Sequence, residues 1–238
     1  MASNEDMSEV TFRRPDGNGC SGYYAEGRAG ANAPGLVVIQ EWWGVNDHIK
    51  RVAGRYAREG FRVLVPDLYR GKVGLDAKEA EHLMAGLNFG DAAGQDIRGA
   101  VQFLRQGSSK VGVTGYCMGG ALTILATVFL PDVDAAVAWY GFPPLEFVDA
   151  SKITAPLMGH FATRDSFFKI EQVDQLEERL RAAGVTFTFH RYDAGHAFAS
   201  EDPVIHTIGL QEDPQAAALA WQRTLEFFDR HLRAGGNS

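Results

Sequence analysis

The sequence predicts a single α/β domain, a mostly parallel central sheet flanked by helices on both faces. Three observations carry that expectation. Short β-like runs alternate with longer helical patterns along the whole chain. The run Gly35–Ile39 is apolar throughout, as in a strand covered on both faces. No repeat, low-complexity tract or linker divides the 238 residues, 45% of them apolar and 22% charged, which suits one domain over residues 1–238 with tails at about 1–7 and 234–238.

In chain order, Glu9–Phe12 and Ser21–Ala25 read as two edge strands, followed by the buried strand Gly35–Ile39. Asn46–Asp47 form a helix start. Ile49, Val52, Ala53, Tyr56 and Ala57 then recur at helical spacing, and Gly60 stops the helix before the strand Arg62–Pro66, completing one βαβ unit. A second helical region begins near Asp91, with Ile97, Val101 and Leu104 on one face, and leads into the strand Lys110–Gly115. Met118–Phe129 reads as a buried helix, and Ala135–Trp139 and Pro156–Gly159 as strands. Val173, Leu176, Leu180 and Ala183 outline an amphipathic helix closed by Gly184, ahead of the alternating strand Thr186–Tyr192. Asp213 and Pro214 make an N-cap and first-turn pair for a last helix bearing Ala218, Trp221, Leu225, Phe228 and Leu232.

Composition narrows the function classes. With 23 Lys and Arg against 30 Asp and Glu the net charge is −7, so a nucleic-acid partner, which wants a basic face, is not expected. No apolar run follows the polar opening Met1–Pro15, and Ala121–Pro131 is too short to span a bilayer. The expectation is a cytoplasmic protein, monomeric or weakly self-associating, with no membrane partner. Two cysteines, Cys20 and Cys117, fit a reducing compartment and leave Cys117 as a thiol. Gly17-Asn18-Gly19-Cys20-Ser21-Gly22 has the spacing of a dinucleotide fingerprint. No buried strand precedes it and no helix follows, so it reads as a hairpin turn. No His-Glu-x-x-His run or paired Cys/His spacing points to a metal.

Gly115-Tyr116-Cys117-Met118-Gly119 has the form of a nucleophile elbow with cysteine in the serine position, between a strand and a helix. The flanking glycines let strand and helix approach closely, and the helix start offers positive potential and the free N–H of Met118. Taken alone, the pentapeptide reads equally well as a small buried residue between packing glycines. The downstream order separates the two, because an elbow of this kind needs an acid and then a histidine, each on a loop after a strand. Asp165 follows the Pro156–Gly159 strand in Thr163-Arg164-Asp165-Ser166, and His196 follows the Thr186–Tyr192 strand in Gly195-His196-Ala197-Phe198. Asp193, three residues before His196, ranks below Asp165 as the acid because it suits a turn cap. His160 and His190, at strand ends, are expected to pack or bond locally.

With these residues in place the chain resembles the dienelactone hydrolase family of α/β-hydrolases. The resemblance rests on Gln40-Glu41-Trp42-Trp43-Gly44-Val45-Asn46, Pro66-Asp67-Leu68-Tyr69, Gly115-Tyr116-Cys117-Met118-Gly119-Gly120, Tyr140-Gly141, Asp165 and Gly195-His196-Ala197-Phe198. It implies the triad Cys117, Asp165 and His196, with Glu41 as the glutamate that contacts the resting thiol and deprotonates it when substrate binds. It also implies thiolate attack on an ester or lactone carbonyl, a thioester resolved by water, and an oxyanion hole from the N–H groups of Trp42 and Met118. No metal or organic cofactor is required.

Family members acting on the muconate-derived enol lactone hold its carboxylate with two arginines. Here one of those positions is Ser200 and the other falls near Ala77 or Lys78, while Arg70 and Lys72 read as solvated loop charges. Trp42, Trp43, Tyr140, Phe142, Phe167, Phe168 and Phe198 fall at the carboxyl edge of the sheet. They predict an apolar pocket for a neutral aryl or alkyl ester, or a neutral lactone. Ala199–Glu212, without clear periodicity, is expected to border that pocket as a lid. The rival readings are a true dienelactone hydrolase, a promiscuous hydrolase of other electrophiles such as phosphotriesters, a thiol redox protein, and a non-catalytic binding protein.

Overall fold

A computed structural model describes residues 7–27, 30 and 33–233. The expected tails therefore fall outside the described residues, apart from Met7. Among the described residues eight strands form one sheet: β1 (Ser8–Arg13), β2 (Gly19–Ala25), β3 (Gly35–Ile39), β4 (Arg62–Pro66), β5 (Val111–Tyr116), β6 (Ala135–Trp139), β7 (Leu157–Ala162) and β8 (Phe187–Tyr192). Their spatial order is β1-β2-β4-β3-β5-β6-β7-β8. The first two hairpin-like pairings are antiparallel, and every pairing from β4 through β8 is parallel. The glycine-rich stretch at Gly17–Gly22 turns the chain from β1 into β2, so it is a hairpin and not a nucleotide loop.

The helices are α1 (Asp47–Arg58), α2 (Ala77–Ala85), α3 (Phe89–Asp91), α4 (Arg98–Arg105), α5 (Met118–Phe129), α6 (Ile170–Ala182) and α7 (Pro214–Phe228), with π-helical turns over Ala92–Ile97 and Asp229–Arg233. Local chemistry sets their ends. The Asn46 side chain accepts from the Ile49 N–H at 3.1 Å to start α1, and Asp213 accepts from Gln215 and Ala216 at 3.1 and 3.0 Å to start α7, as N-caps do.

Alternation along the central strands builds two cores. Val37, Ile39, Leu64, Val111 and Val113 meet Val101 and Leu104 of α4, Leu122 of α5 and Val173, Leu176 and Leu180 of α6. Leu36, Val38, Val63, Val65 and Val137 meet Ile49, Val52 and Tyr56 of α1 and Phe227 and Phe228 of α7. The parallel strands β3, β5, β6 and β7 are buried at every position, because helices cover both faces. A parallel sheet of this type exposes its loops at the carboxyl ends of its strands, where ligands settle. No helix among the described residues is long and apolar enough to cross a membrane.

Candidate active site

Cys117 sits between the end of β5 and the start of α5 with φ 56° and ψ −117°. A non-glycine residue rarely holds such a backbone. What holds it is the surrounding packing. The Cys117 N–H donates to the Trp139 carbonyl at 3.0 Å, and its own carbonyl accepts from Gly120 and Ala121 at 2.9 and 3.2 Å. Two glycines make room for the turn: a Cβ at Gly115 would lie 2.2 Å from the Gly119 carbonyl oxygen, and one at Gly141 would lie 1.9 Å from the Cys117 carbonyl oxygen.

The loops after β7 and β8 bring the other two groups to the thiol. His196 Nε2 lies 3.2 Å from Cys117 Sγ, and His196 Nδ1 lies 2.7 Å from Asp165 Oδ2. The second oxygen of Asp165 accepts from the N–H groups of Phe167 and Phe168 at 2.8 and 2.9 Å, so the carboxylate is held on both sides. Burial is the largest influence on His196 and works against its charge. The Cys117 sulfur and the Asp165 carboxylate together outweigh it and push the imidazole up to about 10. Asp193 faces solvent and pairs with Arg164 at 2.8 Å, away from the imidazole.

Glu41 follows β3 and is buried, with Oε2 lacking any hydrogen-bond partner among the described residues. Burial pushes its carboxyl up to about 7; Asp202 adds to the rise and His196 opposes it. Backbone bonds tie down the loop that carries it, with the Gly44 N–H on the Glu41 carbonyl at 3.2 Å and the Gly74 N–H on the Trp43 carbonyl at 2.8 Å. Met118, first residue of α5, is braced from behind by the Tyr69 hydroxyl at 3.3 Å from its Sδ. Asp67 shapes the loop that presents Tyr69 by accepting from the Tyr69 and Gly71 N–H groups at 3.1 and 2.6 Å.

The thiol opens onto a cavity of about 290 Å³, near the lower end of the range for small-molecule sites. Trp42, Trp43, Phe142, Phe167 and Phe168 line it, as expected, together with Glu41, Cys117, Met118 and His196. Ile205, Ile208 and Leu210 border it from the segment Ala199–Glu212, as expected, whereas sequence reasoning missed Met84 of α2, Phe89, Pro143 and Pro144. No lysine or arginine stands among these lining residues.

Several expectations need correction. Tyr140 and Phe198, expected on the wall, lie behind it. Tyr140 takes φ 35°, its ring packs on Phe198 at 5.2 Å, and both are fully buried. Ser200 is also buried and meets His48 Nε2 at 3.4 Å. Arg70 is not merely a solvated charge: its guanidinium pairs with the buried Asp96 at 2.8 Å, and Arg14 meets the same carboxylate at 3.0 Å. His160, by contrast, bonds locally as expected, to Tyr192 Oη at 2.9 Å and Thr224 Oγ1 at 2.8 Å. The segment after Ser200 is ordered as a 3₁₀ turn, Pro203–Ile208. Asp202 caps it through the Val204 N–H at 3.0 Å and is itself held by Asn46 Nδ2 at 2.7 Å.

The model of the dienelactone hydrolase family matches residues 21–232. The chain belongs to the dienelactone hydrolase family. Among relatives of this family member, the Usf protein of Aquifex pyrophilus is 32% identical over 95% of this chain and 100% of its own. A Salmonella typhi protein provisionally named a carboxymethylenebutenolidase is 31% identical over 93% of this chain and 87% of its own. Among solved structures, the dienelactone hydrolase-like promiscuous phosphotriesterase P91 from metagenomic libraries superposes with a TM-score of 0.82 at 26% identity, covering 95% of this chain and 99% of that one. The Pyrococcus furiosus esterase Pf2001 shares the fold, with a TM-score of 0.67 at 18% identity over 98% of this chain and 97% of its own. Family membership makes this α/β protein a hydrolase of ester or lactone bonds.

Proposed function

We propose that this family member hydrolyses neutral aryl or alkyl esters, or neutral lactones, through a thioester on Cys117. The observation that carries the reading is a continuous chain from Asp165 through His196 to the Cys117 sulfur, with links of 2.7 and 3.2 Å, at the base of an apolar cavity with no lysine or arginine in its lining. A thiol of ordinary pKa ~8.5 is mostly protonated at neutral pH, and the thiolate is the nucleophile. In this reading Glu41 takes the thiol proton. The thiolate then attacks the carbonyl carbon, the carbonyl π electrons move to oxygen, and the N–H groups of Trp42 and Met118 meet the resulting oxyanion. Such donors are worth about 3–4 kcal/mol each in the transition state. His196 protonates the leaving alkoxide and then activates the water that breaks the thioester, while Asp165 fixes its tautomer.

The apolar wall favours an uncharged acyl group. A substrate carboxylate would enter with no lysine or arginine in the lining to meet it, only the His196 imidazole already paired with Asp165, and with Glu41 and Asp202 nearby, which is unfavourable in a low-dielectric site. Hydrolysis of p-nitrophenyl acetate with a transient acyl mass on the Cys117 peptide, both lost in Cys117→Ala, is the expected result. An unaltered rate in that variant would refute the thioester. Comparing an anionic dienelactone with its neutral ester analogues tests the substrate class, with preference for the neutral compounds expected. Turnover of a neutral phosphotriester in the same panel measures whether the promiscuity named for P91 extends to this chain.

A further inference from the structure

Two buried polar atoms beside the thiol have no hydrogen-bond partner among the described residues, Glu41 Oε2 and Tyr140 Oη. A native interior leaves few such atoms, and a pair at one site asks for a reason. Tyr140 is not placed there casually. It follows β6 with φ 35°, a conformation disfavoured for a bulky residue. Its N–H donates to the His160 carbonyl at 2.7 Å, and its ring stands edge-on to His196 at 5.4 Å. The backbone strain turns the phenol inward, behind the triad, and off the cavity wall.

We propose that the Tyr140 hydroxyl is the hydrogen-bond donor reserved for the ionised form of Glu41, so that Tyr140 is a positioning residue controlling how readily Cys117 loses its proton. The inference rests on the reading of Cys117 as nucleophile and Glu41 as its base. Before proton transfer Glu41 is a carboxylate in a dry site, which needs a donor to exist there. A phenol O–H supplies one. When the Cys117 S–H bond breaks, its electron pair stays on sulfur and the proton forms an O–H bond on Glu41. The neutral carboxyl then needs the phenol less, and the two separate. The arrangement seen here, with sulfur at 3.2 Å from His196 Nε2 and both oxygen atoms unpartnered, matches that second stage.

The surrounding charges agree. Desolvation raises the Tyr140 phenol well above its ordinary range, and of the charged neighbours Glu41 contributes most, followed by Cys117, Tyr56 and Asp165. The phenol thus stays a donor at every working pH. Tyr116 packs against its ring at 6.1 Å. Glu41 in turn feels His196 and Asp202.

The test is the pH profile of Cys117 alkylation by iodoacetamide in the full chain. Tyr140→Phe keeps the ring and removes the donor, so Glu41 holds its proton to higher pH. A charge-assisted bond of ordinary strength then moves the acid limb upward by about one pH unit, a roughly tenfold slower alkylation on that limb. In a Glu41→Gln background the same change moves nothing. Because the hydroxyl has no partner in this arrangement, Tyr140→Phe should melt at the same temperature as the native chain or above it, whereas a purely structural hydroxyl would lower it. Incorporation of 3-fluorotyrosine at position 140, a stronger donor that retains the side chain, should move the limb downward. An unmoved limb in Tyr140→Phe, or an equal shift in the Glu41→Gln background, overturns the proposal. Retained hydrolysis in Cys117→Ala overturns instead the nucleophile on which it rests.

Discussion

Replacing Glu41 with glutamine keeps the side-chain shape and removes the ability to ionise, and the structure gives the sign and size of the effect. The native carboxyl is buried and raised from an ordinary 4.5 to about 7, chiefly by desolvation. The folded state therefore keeps a proton that the unfolded chain releases. Below about pH 4.5 both states are protonated and Glu41 costs nothing. As pH rises the unfolded chain gains the favourable hydration of a free carboxylate while the native site does not, so stability is lost until the native group also ionises near pH 7. The shift of 7 − 4.5 at 1.36 kcal/mol per unit gives a loss of about 3 kcal/mol above pH 7. This is an upper bound, since any hydrogen bond that Tyr140 donates to the carboxylate returns part of it. Glu41→Gln should thus be more stable than the native chain at pH 8 by up to about 3 kcal/mol, and equal to it at pH 4.5. Urea unfolding at pH 4.5, 6 and 8 measures this, with unchanged m-values confirming that the same surface is exposed. Esterase activity should fall in the same variant. A stability difference independent of pH, or a variant less stable at pH 8, would refute the argument.

Asp165→Asn should leave the loop intact, because an amide oxygen can still accept from Phe167 and Phe168. Its NH₂ would face His196 Nδ1 and force the other tautomer, so kcat for p-nitrophenyl acetate should fall about 10⁴-fold, the loss known for the equivalent change in a serine triad, with little change in melting temperature. Asp96→Ala removes the carboxylate shared by Arg14 and Arg70 and strands the mostly buried Arg14 beside fewer partners. Equilibrium unfolding should report a loss of about 3 kcal/mol, the low end for a broken buried pair because Arg70 is half exposed.

The sequence displayed the sheet and the triad more clearly than the pocket, and the reason is physical. Strands covered on both faces, such as Gly35–Ile39, and helices with a deep apolar stripe, such as α1, write their burial into local periodicity. The proposed catalytic groups are read from order along the chain, because in this topology successive strand ends deliver elbow, acid and histidine to one edge. By contrast α2 buries only Ala80, so its pattern is too faint to mark a helix, and Met84 at its end reaches the cavity unannounced. The 3₁₀ turn carrying Ile205 and Ile208 is too short to show a period. Tyr140 looked like a pocket aromatic because only its three-dimensional backbone, with positive φ, turns it inward. Arg70 looked solvated because its partner Asp96 lies 26 positions away, a pairing that no local window contains.

The two cysteines of this chain live in different chemical worlds, and with Cys117 as the proposed nucleophile that makes the protein its own active-site counter. Cys20 is buried in the hairpin, where desolvation above all pushes its thiol up to about 12, whereas Cys117 opens onto the cavity. A thiol reagent applied to the native protein should register one equivalent and abolish hydrolysis in step, and the unfolded chain should register two. The first number titrates functional molecules in any preparation, and an electrophilic ester shaped to the apolar wall would label this enzyme at one atom.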